Sequence, residues 1–199
     1  MTVADDLAAR MVVDGLDRQV WLDARQGKIG GSNAAQFAKL ESAPGYTRAM
    51  LAEQWNGNQY TRHGTDRERH MLAAFNIRQN LALYHAAGNP LHVSTPDAIV
   101  IPAMGGDPII AECKTSNKPI VKPSPAYIRQ CQWNMYVIGA SRCLFIWEEH
   151  DRFTPVDVEP NSLWIDRDDL IIGNLITIAD TVLDAFEGAR QFRKEIQES

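Results

Sequence analysis

The feature that most constrains the fold of this chain is a pair of apolar runs joined by a short glycine turn. Residues 93–102 and 108–114 read as two strands, and Met104-Gly105-Gly106-Asp107 between them is typical of a hairpin. Helical spacing of apolar residues precedes and follows this hairpin, which favours a central mixed sheet flanked by helices. With 199 residues the chain can bury one sizeable core. We therefore expect an α/β (α+β) fold, with residues 1–199 forming a single domain.

The element order is predicted from apolar spacing and from turn residues. Ser32 or Asn33 is the expected N-cap of a short helix through residues 34–40. Residues 115–125 hold three prolines and are expected to form a surface loop. The other predicted helices cover residues 16–24, 47–55, the stretch after Gly64 as far as 77, 127–138 and the chain from 166 onward, and further strands cover 142–147 and 153–158.

Composition excludes several functional classes. The net charge is −5, from 20 basic and 25 acidic residues, so contact with nucleic acid would have to depend on local sites rather than on a basic excess. Three cysteines without any Cys-x-x-Cys spacing argue against a disulfide framework, a zinc knuckle and an iron–sulfur cluster. The chain has no apolar run of about 18 residues, and acids stand near its start where a signal peptide would need lysines. We expect a cytoplasmic protein without membrane association.

The chemistry of the hairpin is its most informative property. Asp97 stands at the head of the first strand, while Glu112 and Lys114 are two residues apart on the second and share a face. Cys113 should point to the opposite, packed side. Across the hairpin Asp97 can reach Glu112, and two close carboxylates repel each other unless a cation such as Mg²⁺ or Mn²⁺ lies between them. A lysine beside that cation suits metal-dependent phosphodiester hydrolysis.

The alternative is an ordinary solvated Glu-x-Lys pair. Against this, the pair follows the apolar run Pro108-Ile109-Ile110-Ala111, so that its charges stand at the end of a strand expected to be buried. Trp133, Met135 and Val137 on the later predicted helix are expected to be core residues rather than base-stacking residues.

Four motifs occur along the chain in a fixed order. They are Trp21-x-x-x-Arg25-x-Gly27-x-Ile29-Gly30-Gly31-Ser32, Gly64-x-x-x-Glu68, Ser94-Thr95-Pro96-Asp97 with Glu112-Cys113-Lys114, and Tyr127-x-x-Gln130-x-Gln132-x-x-Met135-x-Val137. Together they resemble the phage lambda exonuclease or YqaJ-type viral recombinase nucleases of the PD-(D/E)xK superfamily. The chain departs from the usual pattern at Asn33, where many relatives have an acid, and at Ala98, where glycine is frequent.

The resemblance implies a restriction-endonuclease-like fold and a Mg²⁺-dependent 5′-to-3′ exonuclease of double-stranded DNA ends. Such an enzyme releases 5′-mononucleotides and leaves 3′ single-stranded tails. The resemblance also implies two metal ions, a ring-shaped homotrimer, a single-strand annealing recombinase as partner, and a phage or prophage gene expressed in a bacterial cytoplasm.

The same resemblance gives each site residue a role. Asp97 and Glu112 would bind metal together with the Cys113 carbonyl, and Glu68 would assist them. Lys114 would orient the water, and Gln130 would support that arrangement. Arg25 and Ser32 would bind the 5′-phosphate, consistent with a hydroxyl near two glycines and an arginine fork.

Each of these residues also has a structural alternative. Ser32 would serve as a plain N-cap and Arg25 as a solvated helix charge. Glu68 would be a surface i,i+4 partner of a neighbouring arginine, and Gln130 a cap on the polar edge of the core. At the level of function, the alternatives are an endonuclease or junction-resolving member of the superfamily, and a catalytically idle scaffold that binds DNA ends.

Overall fold

A computed structural model describes residues 2–52 and 59–198 of the chain. Its helices are α1 (Val3–Ala9), α2 (Arg18–Arg25), α3 (Gly31–Ala34), α4 (Ala43–Ala52), α5 (Gln59–Ala74), α6 (Pro125–Ile138) and α7 (Asp169–Glu198), with a 3-10 turn at Leu40–Ser42. Its strands are β1 (Met11–Val13), β2 (Leu83–Ala86), β3 (Asn89–Ser94), β4 (Ala98–Val100), β5 (Ile109–Ser116), β6 (Arg142–Asp151), β7 (Thr154–Pro155) and β8 (Asn161–Asp166).

The strands form two sheets. β1, β2 and β3 make a small antiparallel sheet in that order. In the larger sheet β4 pairs with β5 antiparallel, β5 pairs with β6 in parallel, and β7 and β8 both pair with β6 antiparallel. The parallel pair requires a crossover, and α6 provides it between β5 and β6. The larger sheet is therefore mixed, as the sequence predicts.

Alternation along β5 sends neighbouring side chains into two different layers. Ile110 packs with Cys131 and Met135 of α6 and with Phe145, in the layer between α6 and the sheet. Cys113 packs on the other face, in a layer that includes residues of α5. Glu112 and Lys114 consequently belong to the α6 face, and the predicted inward position of Cys113 is confirmed.

Local signals explain where α6 begins and ends. The Ser124 hydroxyl accepts a hydrogen bond from the Tyr127 N–H, and Pro125 occupies the first turn, where its missing N–H costs nothing. Gly139 ends the helix in the left-handed conformation, with φ of 81°. Trp133, Met135 and Val137 are at most 1% exposed, which confirms that they belong to the core.

The predicted continuous strand over residues 93–102 is wrong. The chain leaves the small sheet at Ser94 and enters the large sheet at Ala98, so β3 and β4 belong to different sheets. Proline cannot donate to a strand ladder, which favours an interruption at Pro96. Asn80 fixes the interruption, because its N–H donates to the Asp97 carbonyl (2.7 Å) and its side-chain amide donates to the Pro96 carbonyl (2.9 Å).

Other elements differ from the prediction in extent. The sequence patterns gave no indication of α1, β1, β2 or β8. The predicted strand over 153–158 is reduced to β7, because Asn161–Asp166 instead lies beside β6. Helix α4 begins four residues earlier than predicted, and the expected break at Asn56-Gly57-Asn58 lies outside the described residues. Within residues 2–52 and 59–198, no helix has the length and apolar character needed to cross a bilayer.

Candidate active site

The interruption between β3 and β4 places Asp97 beside the middle of β5. Asp97 Oδ2 accepts a hydrogen bond of 2.6 Å from the Cys113 N–H. The pairing of Ala98 with Ala111 continues the hairpin register toward Glu112. Asp97 and Glu112 are therefore neighbours across the hairpin, as expected from the sequence.

Glu112 is 2% exposed, and its carboxylate is surrounded by donors. Lys114 Nζ lies 2.5 Å from Oε1, and Gln130 Nε2 donates to the same oxygen at 2.6 Å. Asn134 Nδ2 donates to the other oxygen, Oε2, at 2.8 Å. Such donors offset the cost of burying a charged carboxylate. Gln130 thus contacts Glu112 directly and does not simply cap the edge of the core.

Glu68 on α5 completes a group of three acids. Burial raises the pKa of Glu68, and the charge of Glu112 raises it further, while Gln79 and Lys114 act in the opposite direction. Its carboxylate accepts a hydrogen bond of 3.1 Å from Gln79 Nε2. Glu68 thus bonds to Gln79 and lies within the electrostatic influence of Glu112. The alternative for this residue was a surface pairing with a neighbouring arginine.

Asp97 has the same kind of surroundings. Burial raises the pKa of Asp97 well above its ordinary value, and the charges of Glu112 and Glu68 raise it further. Lys114 and the Cys113 N–H partly oppose this effect. The charges of Glu112 and Glu68 thus both disfavour ionisation of Asp97.

Lys114 is the cation of the group. Burial alone would lower its pKa, but the charges of Glu112 and Asp97 outweigh burial and raise the pKa above its ordinary value. Its Nζ also lies 5.8 Å from the centre of the Tyr127 ring. Lys114 therefore keeps its proton at neutral pH in this arrangement.

The donor set suits a hard divalent cation. Carboxylate oxygens of Asp97, Glu112 and Glu68 are the ligands that Mg²⁺ and Mn²⁺ prefer, and an ion among them would relieve their mutual repulsion. In the described part of the chain no three acidic, histidine or cysteine side chains converge tightly enough to enclose an ion by themselves. Mg²⁺ commonly uses one or two carboxylates, with water and phosphate as its other ligands, so the residues fit this ion. The Cys113 side chain faces the α5 layer, which leaves its backbone carbonyl as the candidate ligand.

A second polar group lies at the start of α3. Arg25 Nη2 donates to Ser32 Oγ at 2.7 Å and to Asn33 Oδ1 at 2.9 Å. Asn33 Oδ1 also accepts from the Gly30 N–H at 3.0 Å. The guanidinium carbon lies 5.5 Å from the centre of the Trp21 ring. Arg25 and Ser32 are thus brought together, with the Ser32 hydroxyl exposed.

The prediction that Ser32 or Asn33 caps this helix is wrong. Gly30 is the N-cap of α3, Ser32 is its second residue, and the helix ends at Ala34. Glycine fits because a Cβ at position 30 would stand only 3.0 Å from Arg25 Nε. The capping role that was the alternative for Ser32 is therefore excluded by its position.

The two polar groups meet at one close contact. A Cβ on Gly31 would stand 2.5 Å from Asn134 Oδ1 and 3.4 Å from Gln130 Cγ. Real Cβ atoms essentially never approach as closely as 2.5 Å, so α3 approaches α6 closely because residue 31 is glycine. Gly31, the residue before Ser32, therefore contacts the same Asn134 side chain that donates to Glu112.

Sequence reasoning missed two residues of this site. The sequence motifs assign no role to Asn134, and they include Ser94 without giving it one. Both are buried, and Ser94 Oγ donates to Asn134 Oδ1 at 2.7 Å. The available signal was the seven-residue spacing of Tyr127 and Asn134, which places both polar groups on one helix face.

Solved exonucleases share this fold. LHK-Exo, an alkaline exonuclease from Laribacter hongkongensis, aligns with a TM-score of 0.69 and 23% identity over 91% of this chain and 100% of its own. The complex of LHK-Exo with dAMP aligns with a TM-score of 0.71 and 24% identity over the same shares. A phage related exonuclease from Haemophilus somnus 129PT aligns with a TM-score of 0.60 and 14% identity, over 85% of this chain and 96% of its own. The predicted fold, a central mixed sheet flanked by helices, is confirmed.

Residues 20–141 match the YqaJ-like viral recombinase domain. Because this match covers more than half of the chain, the chain belongs to that family, which confirms the resemblance found in the sequence motifs. No curated protein matches the chain.

Proposed function

We propose that this protein is a Mg²⁺-dependent 5′-to-3′ exonuclease that acts on double-stranded DNA ends during phage or prophage recombination. It releases 5′-mononucleotides and leaves 3′ single-stranded tails for annealing. One observation carries the proposal: Asn134 donates to Glu112 in the carboxylate and lysine group and also contacts Gly31, the residue before Ser32 of the Arg25–Ser32 pair. Membership of the YqaJ-like viral recombinase domain family, and a fold shared with solved exonucleases, support it.

Asp97 and Glu112 would hold the divalent cation, and Glu68 and the Cys113 carbonyl are the further candidate ligands. When bound, Mg²⁺, for which Mn²⁺ could substitute, would stabilise the negative charge that develops on the scissile phosphate. Three acids on one site provide enough carboxylate oxygens for the two ions that we propose.

Lys114 would orient the attacking water and stabilise negative charge in the transition state. Its raised pKa favours this role, because a lysine that keeps its proton donates hydrogen bonds and does not act as a base. Gln130 and Lys114 share Glu112 Oε1, so Gln130 would act by holding the Glu112 carboxylate.

Arg25 and Ser32 would bind the terminal 5′-phosphate. A guanidinium and a hydroxyl 2.7 Å apart can both donate to one phosphate group. An endonuclease has no need of a terminal-phosphate site, so this pair favours the exonuclease over the endonuclease and junction-resolving alternatives.

We further propose that three copies form a ring around DNA and pass the 3′ strand to a single-strand annealing recombinase in the cytoplasm of the bacterial host. A ring would reconcile the net charge of −5 with DNA binding, because acidic residues can populate its outer surface and basic residues its channel.

The test is digestion of matched linear and circular duplexes in Mg²⁺, with a chelator as control. We expect the linear duplex to yield 5′-mononucleotides from its 5′ ends and the covalently closed circle to remain intact. Omission of Mg²⁺ should abolish product formation.

Two outcomes contradict the proposal in different ways. Cleavage of the closed circle would indicate an endonuclease. Binding to linear ends without hydrolysis, in either Mg²⁺ or Mn²⁺, would indicate a scaffold that binds DNA ends.

A further inference from the structure

Asn134 is a buried amide whose two polar atoms contact two different strands. It is 2% exposed; its Oδ1 accepts from the Ser94 hydroxyl at 2.7 Å and its Nδ2 donates to Glu112 Oε2 at 2.8 Å. An ionised carboxylate only accepts hydrogen bonds, so the amide nitrogen must face Glu112 and the oxygen must face Ser94. Ser94, itself 1% exposed, donates to the amide oxygen and so holds the amide in this orientation.

The two oxygens of Glu112 are held from different sides. Oε1 accepts from Lys114 and Gln130, and Oε2 accepts from Asn134. Rotation of the carboxylate about its last bond would therefore break contacts at both oxygens. Without Asn134, the donors that remain in this set would hold one oxygen and leave the other to reorient.

We propose that Asn134, oriented by Ser94, is a positioning residue that fixes the rotation of the Glu112 carboxylate for divalent-cation binding. This inference rests on the proposed function, in which Glu112 is a metal ligand. Partners that orient a metal ligand affect metal affinity, typically by 10- to 100-fold when they are removed. Asn134 would do so without contacting the ion or the DNA.

The contact with α3 extends this positioning role. Gly31 packs directly against Asn134 Oδ1, so the same amide also contacts the helix that carries Ser32.

A purely structural role for Asn134 would give a different result, and the chain supplies a matched control. Gln132 is also 2% exposed on α6, but its amide bonds the backbone of residues 166 and 168, each at 2.8 Å. Loss of Gln132 removes a buried amide of the same helix without affecting Glu112.

The experiment compares the wild-type chain with Asn134→Ala, Ser94→Ala and Gln132→Ala. Mg²⁺ binding is measured by calorimetry in the absence of DNA, and kcat and KM are measured on a linear duplex. We expect Asn134→Ala to weaken Mg²⁺ binding about tenfold or more and to lower kcat, with KM for DNA nearly unchanged. Ser94→Ala should show a smaller loss of the same kind.

Gln132→Ala should lower the melting temperature and leave Mg²⁺ affinity within about twofold of wild type. The inference is overturned if Asn134→Ala binds Mg²⁺ as wild type does, or if Gln132→Ala loses as much affinity. If Asn134→Ala fails to fold, Ser94→Ala decides: wild-type Mg²⁺ affinity in that variant overturns the inference.

Failure of the proposed function is recognised separately. A wild-type chain that binds Mg²⁺ and hydrolyses no DNA refutes the nuclease proposal, while the affinities of the variants still test Asn134. A wild-type chain without measurable Mg²⁺ binding in the absence of DNA overturns the inference about Asn134, while digestion of the linear duplex still decides the nuclease proposal.

Discussion

Glu112 and Lys114 carry the chemistry that we assign to β5, and their loss should separate hydrolysis from binding. Glu112→Gln and Lys114→Ala should each lower the hydrolysis rate in Mg²⁺ by several orders of magnitude, because one removes a metal ligand and the other removes a charged donor. Binding of duplex ends, measured by gel shift in chelator, should largely survive. Asp107→Asn, an exposed acid in the turn of the same hairpin, is the control and should remain active. Near wild-type hydrolysis in either site variant would place the active site elsewhere.

Asp97 illustrates a conflict between stability and function. Its folded-state pKa lies above the unfolded value, so its contribution to stability is present below the unfolded pKa and is lost as pH rises through the folded pKa. At neutral pH the buried Asp97 carboxyl therefore destabilises the folded state. Asp97→Asn removes this destabilisation and keeps an oxygen that accepts a hydrogen bond from the Cys113 N–H. We expect the variant to melt about 2 °C or more above wild type in chelator, which corresponds to ~1 kcal/mol in a chain of this size.

The same variant should gain less from metal. At a given Mg²⁺ concentration, tighter Mg²⁺ binding to the folded state stabilises it more. Loss of a carboxylate ligand should therefore reduce the rise in melting temperature that Mg²⁺ causes. Thermal melts in chelator and in Mg²⁺ measure both effects. A lower melting temperature for Asp97→Asn in chelator, or an undiminished response to Mg²⁺, would contradict the assignment of Asp97.

Arg25 and Ser32 predict a preference for one kind of DNA end. A linear duplex with a 5′-phosphate should be degraded faster than the same duplex with a 5′-hydroxyl, and Arg25→Ala should remove most of the difference. A charge-assisted contact is worth ~1.5–3 kcal/mol, or roughly ten- to hundredfold in rate if it acts in the transition state. Initial rates on the two substrates provide the measurement.

Ser32→Ala should show a smaller loss of the same preference. Because Gly30 rather than Ser32 caps α3, this substitution removes the hydroxyl and leaves the helix cap in place. Ser42→Ala, at the exposed end of the 3-10 turn, is the control. A Ser32→Ala variant that merely melts at a lower temperature and retains full preference would show that the hydroxyl is structural.

At the scale of elements, α5 must be docked correctly because it carries Glu68. Arg67, the preceding residue, donates two hydrogen bonds to Glu148 on β6, of 2.9 and 2.7 Å. The Glu148 side chain is 7% exposed, so removing its cation leaves a buried carboxylate poorly compensated.

Arg67→Ala should therefore cost about 1.5–3 kcal/mol of folding free energy and should also lower the hydrolysis rate by loosening α5. Denaturant unfolding and initial rates measure the two effects. Arg69→Ala, an exposed arginine of the same helix, should change neither. If Arg67→Ala destabilises the protein but leaves the rate unchanged, Glu68 is positioned independently of this ion pair or has no role in hydrolysis.

Elements with strong local signals were predictable from the sequence. Helix α6 has a serine cap, an early proline and a terminal glycine, and it forms close to where these signals indicate. The hairpin of β4 and β5 was also predicted, because its apolar runs and glycine turn are local features. The pairing of Asp97 with the Glu112 strand followed from that hairpin.

What the sequence could not provide depends on contacts between distant parts of the chain. β8 is mostly exposed, so it lacks the alternation that marks a strand, and its place is fixed by pairing with β6. Similarly, Asn134 reaches Ser94 and Glu112, which lie 40 and 22 residues earlier in the chain. No local pattern reports the partner of a buried amide.

At the scale of the whole molecule, the proposed ring predicts a definite mass. Light scattering should give about three times the 22.3 kDa chain mass, because a closed ring of identical subunits requires specific contacts that saturate at one number of copies. The measurement should cover a wide range of concentrations. A monomer throughout that range would refute the ring and would leave the chemistry assigned to Glu112 unaffected.

The three cysteines have a practical consequence for studying this site. Cys113 is packed in the α5 layer, and Cys131 of α6 and Cys143 of β6 are packed between α6 and the sheet, all at most 5% exposed. A thiol reagent can reach these sulfur atoms only when a helix separates from the sheet. Those are the helices that carry Glu68, Gln130 and Asn134. The labelling rates of these native thiols therefore measure how often the helices of the candidate site separate from the sheet.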